Sequence, residues 1–347
     1  MSLVRVSLFL SSVFFVLNAF SFFEIENMGQ FRFVDYALSP QMQFTQPNNG
    51  GFLIKESWLG FEWKKEESLF SQIKIGSYDL VKPALWFEKR STDFAIVEAW
   101  IEGRSSYVNL RAGLVPTLVG YEGTHPEWSL MLPQTKWFGF DIFPRRDFGL
   151  QFISERSDLM TALTIHNGES STNADGKMWA SGVWLYEPND GWGGQLSAVV
   201  AATTGLSTEA QAPAISALGF AMDPTLENKL RYGQLALFYK SKNVFALLES
   251  GRGDHLQGEN KFPFASGHFD LSFHLTGDLS LMTRIEKNQT DLYTKGTISE
   301  HRSVGFLASD QYKLVSTSLW YTQNKELAET QNDELQLIFK IHSSILQ

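Results

Sequence analysis

The sequence predicts an all-β chain folded as a transmembrane antiparallel β-barrel of sixteen strands, with a long third external loop folded into the lumen. Three observations predict this fold class. Apolar and polar residues alternate along many segments of about ten residues, the length of a tilted strand that crosses a bilayer. Beyond the N-terminal segment, no stretch of roughly 20 apolar residues offers a helical span. A closed barrel is the other structure that satisfies every backbone group within lipid.

The composition excludes several classes of protein. The 347 residues include 29 basic and 38 acidic side chains, a formal net charge of -9, and 43% are hydrophobic. Such an acidic chain lacks the basic face of a general nucleic-acid binder, so no nucleic-acid partner is expected. The absence of cysteine excludes disulfide scaffolds, thiolate metal sites and cysteine nucleophiles. The histidines show no metal-binding spacing, so neither a metal nor another cofactor is expected.

Residues 1–21 have the pattern of a cleavable secretory signal. Arg5 is their only charge, an apolar stretch follows it, and Ala19 and Ser21 are small residues of the kind that a signal peptidase reads. The apolar stretch is short for a membrane anchor. We therefore expect a signal peptide over 1–21 and a single barrel domain over 22–347. An exported chain without cysteine suits the bacterial outer membrane.

Period-2 alternation predicts the individual strands. In one segment the apolar face consists of Phe269, Leu271, Phe273 and Leu275, and the polar face of Asp270, Ser272, His274 and Thr276. A soluble sandwich also alternates, so repetition of the pattern along the chain is the stronger argument. Candidate strands lie near 28–36, 53–63, 70–79, 94–102, 107–116, 146–155, 158–166, 178–187, 192–203, 215–222, 230–240, 243–251, 265–276, 279–287, 299–309, 312–322 and 333–343.

Connector lengths reduce these seventeen candidates to an even number, as bacterial barrels require. Long connectors are expected after the strands near 107–116, 158–166, 243–251 and 279–287, and short ones at 103–106, 155–158, 187–190, 240–243, 276–278 and 309–311. The alternation of short and long connectors fails only if 215–222 is a wall strand. We therefore assign 215–222 to a long external loop, which leaves sixteen strands and makes 117–145 the third external loop. Fourteen and eighteen strands are the alternative counts.

Tryptophans are expected at the two lipid–water interfaces, where an amphipathic ring is half solvated. Ordinary core packing is the alternative for these side chains. The residues concerned lie in or near the ends of candidate strands: Trp58, Trp63, Trp86, Trp100, Trp179, Trp184, Trp192 and Trp320.

The 117–145 loop is too apolar to extend freely into solvent, and folding into the barrel would cover it. Its charged residues would then project toward the pathway, opposite arginines of the wall. Opposed acidic and basic rows create a transverse field that favours small polar solutes. An Arg146–Asp147 structural pair at a strand start is the alternative. The predicted constriction comprises Glu122, Glu127, Lys136 and Asp141 with Arg111, Arg145 and Arg146.

Two stretches carry short motifs in a fixed order, and together they resemble the phosphate-selective porin O and P family of outer-membrane channels. The resemblance covers about a quarter of the mature chain. It implies a sixteen-stranded, usually trimeric porin whose third external loop narrows the pore. The motif positions are Gly113 and Pro116, then Arg146, Asp147, Gly149 and Gln151, then Asn167 and Gly168, and finally Pro188.

Two departures limit what the resemblance implies. Outer-membrane barrels commonly end on an aromatic residue, whereas this chain ends Ser-Ser-Ile-Leu-Gln347. The phosphate-selective members line their pore with Arg and Lys, whereas this chain is acidic and Lys136 is the only base between Thr117 and Phe143. Phosphate selectivity is therefore not carried over.

The expected function is that of a porin, a passive channel for small ions or polar solutes, and not that of an enzyme. Its expected partners are outer-membrane lipid, the solutes and two further copies of the chain in a homotrimer. Two alternatives stay open: a barrel enzyme of the lipase or protease type, and an exported soluble β-sandwich that binds a ligand.

Overall fold

The computed structural model describes residues 23–25, 29–45, 49–78, 95–125, 130, 135, 146–167, 177–204, 226–276, 278–294, 298–309, 315–325 and 333–344. The expected signal peptide at 1–21 and the segment 215–222, assigned above to an external loop, lie outside these ranges.

The described residues form seventeen strands and one short helix. No helix among them is long and apolar enough to cross a membrane. The strands are β1 (Phe23–Ile25), β2 (Gly29–Thr45), β3 (Asn49–Lys65), β4 (Leu69–Tyr78), β5 (Ala95–Gly103), β6 (Asn109–Pro116), β7 (Arg146–Arg156), β8 (Leu159–His166), β9 (Trp179–Tyr186), β10 (Gly191–Thr204), β11 (Glu227–Lys240), β12 (Val244–Gln257), β13 (Asn260–His274), β14 (Leu279–Gln289), β15 (Ile298–Ser309), β16 (Val315–Lys325) and β17 (Glu334–Ser344), and the helix is α1 (Gly120–Thr124).

The strands close into an antiparallel β-barrel. From β2 to β17 each strand pairs with the next one in sequence. The last strand then pairs with β2, from Glu334 opposite Thr45 to Ser344 opposite Asp35. The three-residue β1 pairs with the start of β2 and extends that edge.

The two ends of the barrel differ in the length of their connectors. At one end, which we call the short-turn end, brief connectors join each odd-numbered strand to the next even-numbered one, from β3–β4 to β15–β16. Five of the six predicted short connectors coincide with turns there. The sixth, at 309–311, falls between β15 and β16 and extends beyond the described residues. The opposite, long-connector end carries 117–145 as its third connector.

Two predictions of strand length are wrong. A long connector was expected after 243–251, but β12 continues to Gln257 and turns at Gly258, whose φ is +57°. Gly253 allows a close approach within the sheet, since a Cβ there would lie 2.4 Å from Phe264 Cζ. Strand β2 continues past 36 through Pro40, which the sheet accommodates at a register shift.

Exposure along the strands is the reverse of that in a soluble protein. Phe269 and Phe273 are 40% and 41% exposed, whereas Asp270 and Ser272, between them, are 1% and 0% exposed. The polar face of the strand therefore lines the interior and the apolar face covers the outside. This arrangement suits a barrel surrounded by lipid and disfavours a soluble sandwich.

Only some tryptophans occupy the expected interfacial position. Trp184 and Trp192 are exposed near the short-turn end, and the Trp192 ring lies 5.2 Å from that of Tyr239. Three others were assigned wrongly to the interface, because the strand register turns them inward: Trp58, Trp179 and Trp320 are buried. Trp63 and Trp100 are half-buried, and Trp86 lies outside the described residues.

A lysine at Phe269 is expected to cost about 2–4 kcal/mol of barrel stability, because Phe269 lies midway along the apolar belt between Leu248 and Ile285. A lysine at Phe273, next to the short-turn end, should cost only about 0–1 kcal/mol, because the ammonium group reaches the interface. Urea titrations of refolded protein measure both values. Equal costs at the two positions would contradict this placement of the belt.

Candidate pore constriction

The segment that follows β6 is held against the inner face of distant strands. The backbone N–H of Gly120, whose φ is +68°, donates to Ser197 Oγ on β10 at 3.1 Å. The next N–H, that of Tyr121, donates to Glu249 Oε2 on β12 at 2.6 Å. Both acceptors project from the polar face of their strands. Helix α1 therefore packs inside the barrel wall rather than above it.

Apolar contacts also bind α1 to the wall. The Tyr121 ring lies 5.3 Å from Phe238 and 5.9 Å from Phe245, and stacks on His125 at 3.9 Å. This inward apolar patch covers Leu118, Tyr121 and Leu130 of the loop. The buried cluster comprises Leu118, Tyr121, Ile153, Ala162, Val183, Leu185, Ala236, Phe238, Phe245 and Leu247, with Leu130 and Met160 packed against it.

A charged contact anchors the C-terminal end of α1 at the short-turn end. His125 Nε2 lies 2.8 Å from Glu187 Oε1, in the turn after β9, and Lys240 Nζ donates to the same oxygen. Burial alone would raise the pKa of Glu187, but hydrogen bonds and charge from His125 and Lys240 outweigh it and lower that pKa to about 2. Burial, together with neighbouring carboxylates, raises the pKa of Tyr121.

Acid should weaken this anchor only well below neutrality. The pKa of Glu187 falls from 4.5 to about 2 on folding, so the unfolded chain binds more protons between these values. The stabilising contribution is therefore complete above about pH 4.5 and is lost as the pH falls toward 2. We expect Glu187→Gln to be less stable than wild type by a constant amount above pH 4.5, with the difference shrinking below it. Unfolding titrations at several pH values measure the difference, and a difference that grows in acid would contradict the prediction.

Glu122 is held in a buried ion pair. Arg284 Nη2 of β14 donates to Glu122 Oε1 at 3.0 Å and to Asp270 Oδ2 at 2.7 Å. Arg284 Nε donates to Asp270 Oδ1 at 2.7 Å. Thr135, further along the same loop, donates to Glu122 through its N–H at 3.0 Å and its hydroxyl at 2.8 Å. Glu122 therefore ties two parts of the loop to the wall.

This arrangement corrects one expectation. Glu122 was predicted to face Arg111, Arg145 or Arg146 across the pathway, but Arg284 is its cationic partner. The reason is that α1 lies against the β10–β14 wall, which carries Arg284. Glu122 is only 3% exposed, so its charge is compensated within the wall contact rather than presented to a solute.

Further buried acids surround this contact. His268 lies between two of them, with Nδ1 3.8 Å from Glu249 Oε1 and Nε2 3.7 Å from Asp270 Oδ2. Glu286, next to Arg284 on the same face of β14, is also buried and accepts a hydrogen bond from Asn288 at 2.7 Å. Carboxylates outnumber cations in this cluster. The arginine is therefore the main group that offsets the cost of burying them.

The wall formed by β4–β7 carries most of the predicted arginines. Strand β5 supplies two buried carboxylates: Glu102 Oε2 accepts from Arg111 Nη2 at 2.7 Å, and Glu98 Oε2 lies 3.2 Å from Arg146 Nε. Lys74 Nζ lies 3.3 Å from the same Glu98 oxygen. In the closed barrel, β5 and β13 are eight strands apart in either direction. The cationic wall therefore faces the wall that holds α1.

Residues of the sequence motifs build the joint between β6, β7 and β8. Gln151 donates to the carbonyl of Pro116 and to Thr164, both at 3.0 Å. A Cβ on Gly113, whose φ is +130°, would lie 2.3 Å from the carbonyl oxygen of Ala99, so no other residue fits. A Cβ on Gly149 would similarly lie 2.4 Å from the carbonyl oxygen of Ile165. These positions are architectural.

Arg146 and Asp147 have different partners. Asp147 Oδ2 lies 2.7 Å from His166 Nδ1, whereas Arg146 reaches Glu98. The Asp147–His166 pair has the composition of a catalytic dyad, but His166 is 1% exposed and its Nε2 has no hydrogen-bond partner among the described residues. A serine nucleophile would have to occupy that position. The pair therefore gives no support to the barrel-enzyme alternative.

Several predicted residues lie outside the described ranges: Glu127, Lys136, Asp141, Arg145 and Gly168. Asn167 is described, and its N–H donates to the carbonyl of Phe148 at 3.0 Å. Sequence reasoning missed Glu98, Glu102, Glu249 and Arg284. The available signal was their position on the polar face of alternating strands.

A cavity of about 430 Å³ opens below α1 at the short-turn end. Its walls carry both signs of charge, of which Glu122, Asp270 and Arg284 are paired with one another. The described residues contain no group of three or more His, Asp or Glu side chains placed to hold a metal ion. The cavity is lined by Tyr121, Glu122, His125, Lys240, His274 and Arg284, among others.

Comparison with solved structures identifies the fold. The anion-selective porin from Comamonas acidovorans superposes with a TM-score of 0.67 at 10% identity, over 89% of this chain and 98% of that one. OmpF of Salmonella typhi, in complex with daunomycin, gives 0.64 at 10% identity over 92% and 99%. OmpT of Vibrio cholerae, an outer-membrane protein in a trimer form, gives 0.65 at 9% identity over 91% and 100%.

These likenesses show that the chain has the β-barrel fold of outer-membrane porins. They do not single out the phosphate-selective family. No family model matches the sequence. No curated protein matches it either.

Proposed function

We propose that this chain is an integral outer-membrane porin, a passive diffusion channel for small ions and polar solutes, narrowed by the 117–145 loop. The observation that carries the proposal is the contact of α1 with the inner face of β10–β14 through Ser197, Glu249 and Arg284. A loop that is hydrogen-bonded to the polar inner wall of a lipid-facing barrel supports a constriction of the lumen.

The lumen wall carries charges of both signs, so it favours small polar solutes over ions of one sign. Lys74, Arg111 and Arg146 are partly accessible, and each is paired with a buried carboxylate of β5. The acids near α1 are enclosed by the loop. A solute would therefore pass between one wall with partly accessible cations and another covered by α1. Charge in Glu127 and Asp141 would add to the field at this point.

A homotrimer is part of the proposal. The family resemblance implies it, and the structurally similar OmpT of Vibrio cholerae is described in a trimer form. Cross-linking of the protein extracted in mild detergent tests it: a ladder ending at three chains is expected. A single band of one chain at all cross-linker concentrations would refute this part.

Liposome swelling tests the channel itself. Residues 22–347, refolded into liposomes, should admit small neutral sugars rapidly and exclude oligosaccharides, because the loop limits the width. Liposomes with the same protein denatured by heat are the control. Failure of a correctly folded barrel to admit even the smallest sugar would contradict the proposal.

A further inference from the structure

Exposed cations form a band on the outer wall near the long-connector end. Each of them lies on the same face of its strand as lipid-facing apolar residues such as Leu235, Leu248 and Ile285. Each is displaced from the apolar belt toward the long-connector end. We call this band the basic collar; its members are Arg231 on β11, Arg252 on β12, Lys287 on β14, Arg302 on β15 and Lys325 on β16.

Strand register brings the collar residues together. Arg252 lies opposite Gly233, which places it diagonally next to Arg231 on the outer face. Two such diagonal neighbours are about 7–8 Å apart. Further round the barrel, Glu300 lies opposite both Lys287 and Lys325. The collar therefore has two parts, one on β11–β12 and one on β14–β16.

Acidic residues on this face do not neutralise the two arginines of β11 and β12. Asp254 lies opposite Arg231 in register, but its Oδ2 is 2.9 Å from Lys261 Nζ. Glu300 is bound by Arg302 through a 2.7 Å hydrogen bond. In the described part of the chain, neither Arg231 nor Arg252 forms an ion pair. In a protein of net charge -9, this outward concentration of cations needs an external anion.

An apolar furrow runs across β9–β11 on the outer wall and ends beside Arg252. Gly182, Ala198 and Gly233 occupy adjacent positions on β9, β10 and β11. The larger Trp184, Leu196 and Leu235 stand beside them. The furrow has a volume of about 650 Å³, and Arg252, opposite Gly233, is among its lining residues. Its chemistry is that of an amphiphile site, with apolar walls and a guanidinium at one end.

We propose that the furrow and the basic collar bind a phosphorylated lipid of the surrounding leaflet, with a phosphate on Arg231 and Arg252 and an acyl chain along the furrow. Guanidinium groups bind phosphate through paired, charge-assisted hydrogen bonds. The small side chains of Gly233 and Ala198 leave room for the chain against the backbone. The charge of the collar favours an anionic lipid as the occupant, and a contact with a second copy of the chain is an outcome of the test below.

Lipid binding by the full chain in detergent tests the proposal. The probes are lipid A, which carries two phosphates, and the same lipid after enzymatic dephosphorylation. Native mass spectrometry counts the bound lipid at each concentration. Wild type should retain lipid A and lose the dephosphorylated form. The double variant Arg231→Gln, Arg252→Gln should bind lipid A at least about tenfold more weakly, because it loses both charged donors.

Lys65→Gln is the matched control, since Lys65 is an exposed cation at the opposite, short-turn end of the barrel. It should bind lipid A within about twofold of wild type, which is under 0.5 kcal/mol in binding free energy. Heat-modifiable gel migration verifies that each variant is folded. Equal binding of the two forms of the lipid, or unchanged binding in the folded double variant, would overturn the proposal. A change of oligomeric mass in the double variant, without loss of lipid, would assign this face to contacts between copies. The proposal does not depend on channel activity, so wild-type liposome swelling and lipid retention succeed or fail separately.

Discussion

Replacement of Arg284 by glutamine is expected to destabilise the barrel by about 3–5 kcal/mol and to release the loop from its wall. Arg284 is the cationic partner of Glu122 and Asp270, and all three side chains are buried. Removal of one partner from a buried ion pair leaves the other charge without compensation, at a cost of this size. Urea titration of refolded protein measures the change in the free energy of unfolding.

Arg302→Gln provides the matched control, because Arg302 forms the same type of ion pair with Glu300 on the exposed outer wall. Exposed pairs contribute about 0–1 kcal/mol, so this variant should remain close to wild type. In planar bilayers, Arg284→Gln should also show larger and noisier current steps as α1 detaches. Equal stability losses in the two variants would contradict the role assigned to the buried pair.

Glu98→Gln is expected to shift the ion preference toward anions. Glu98 is the shared partner of Lys74 and Arg146, so its neutralisation leaves two cations facing the lumen with one fewer negative charge. A unit charge about 10 Å from an ion in water changes the energy of that ion by roughly 0.4 kcal/mol, which is about a twofold change in permeability ratio. The reversal potential under a salt gradient measures this ratio.

Two further variants verify the sign of the shift. Arg146→Gln removes a cation from the same contact and should shift the reversal potential toward cations. Glu67→Gln, in the exposed turn between β3 and β4, should leave the potential unchanged. Low ionic strength gives the clearest result, since salt screens these charges. Shifts of the same sign in Glu98→Gln and Arg146→Gln would contradict a direct electrostatic effect of this contact on the permeating ion.

Alternation in the sequence predicted the barrel and the orientation of most strands. The pattern around Phe269 and Asp270 needs only the two-residue period of a strand, which is a local property. The extension of β2 beyond 36 was missed because Pro40 is normally a strand breaker, and a register shift in the sheet accommodates it. The β12–β13 hairpin was missed because its glycines resemble loop signals, whereas Gly253 serves a close contact with Phe264.

The site was harder to predict than the fold. The long apolar third loop singled out Glu122 as a candidate, but its partner Arg284 is 162 residues away in sequence. That pair forms only because sixteen strands close and bring β14 to the wall where α1 packs. The same holds for Glu187, which meets His125 through the turn after β9. The alternation pattern of one sequence does not show which strands lie opposite each other across the lumen, or at which depth in the barrel their side chains meet.

Single-channel recording tests the central claim most directly. Residues 22–347, refolded and shown to be heat-modifiable, would be added to a planar bilayer under a fixed voltage. A porin narrowed by an internal loop should produce discrete conductance steps, grouped in threes if it is a trimer, that become larger in Arg284→Gln. A correctly folded barrel that inserts into the bilayer and carries no current, in wild type and in this variant, would contradict the account.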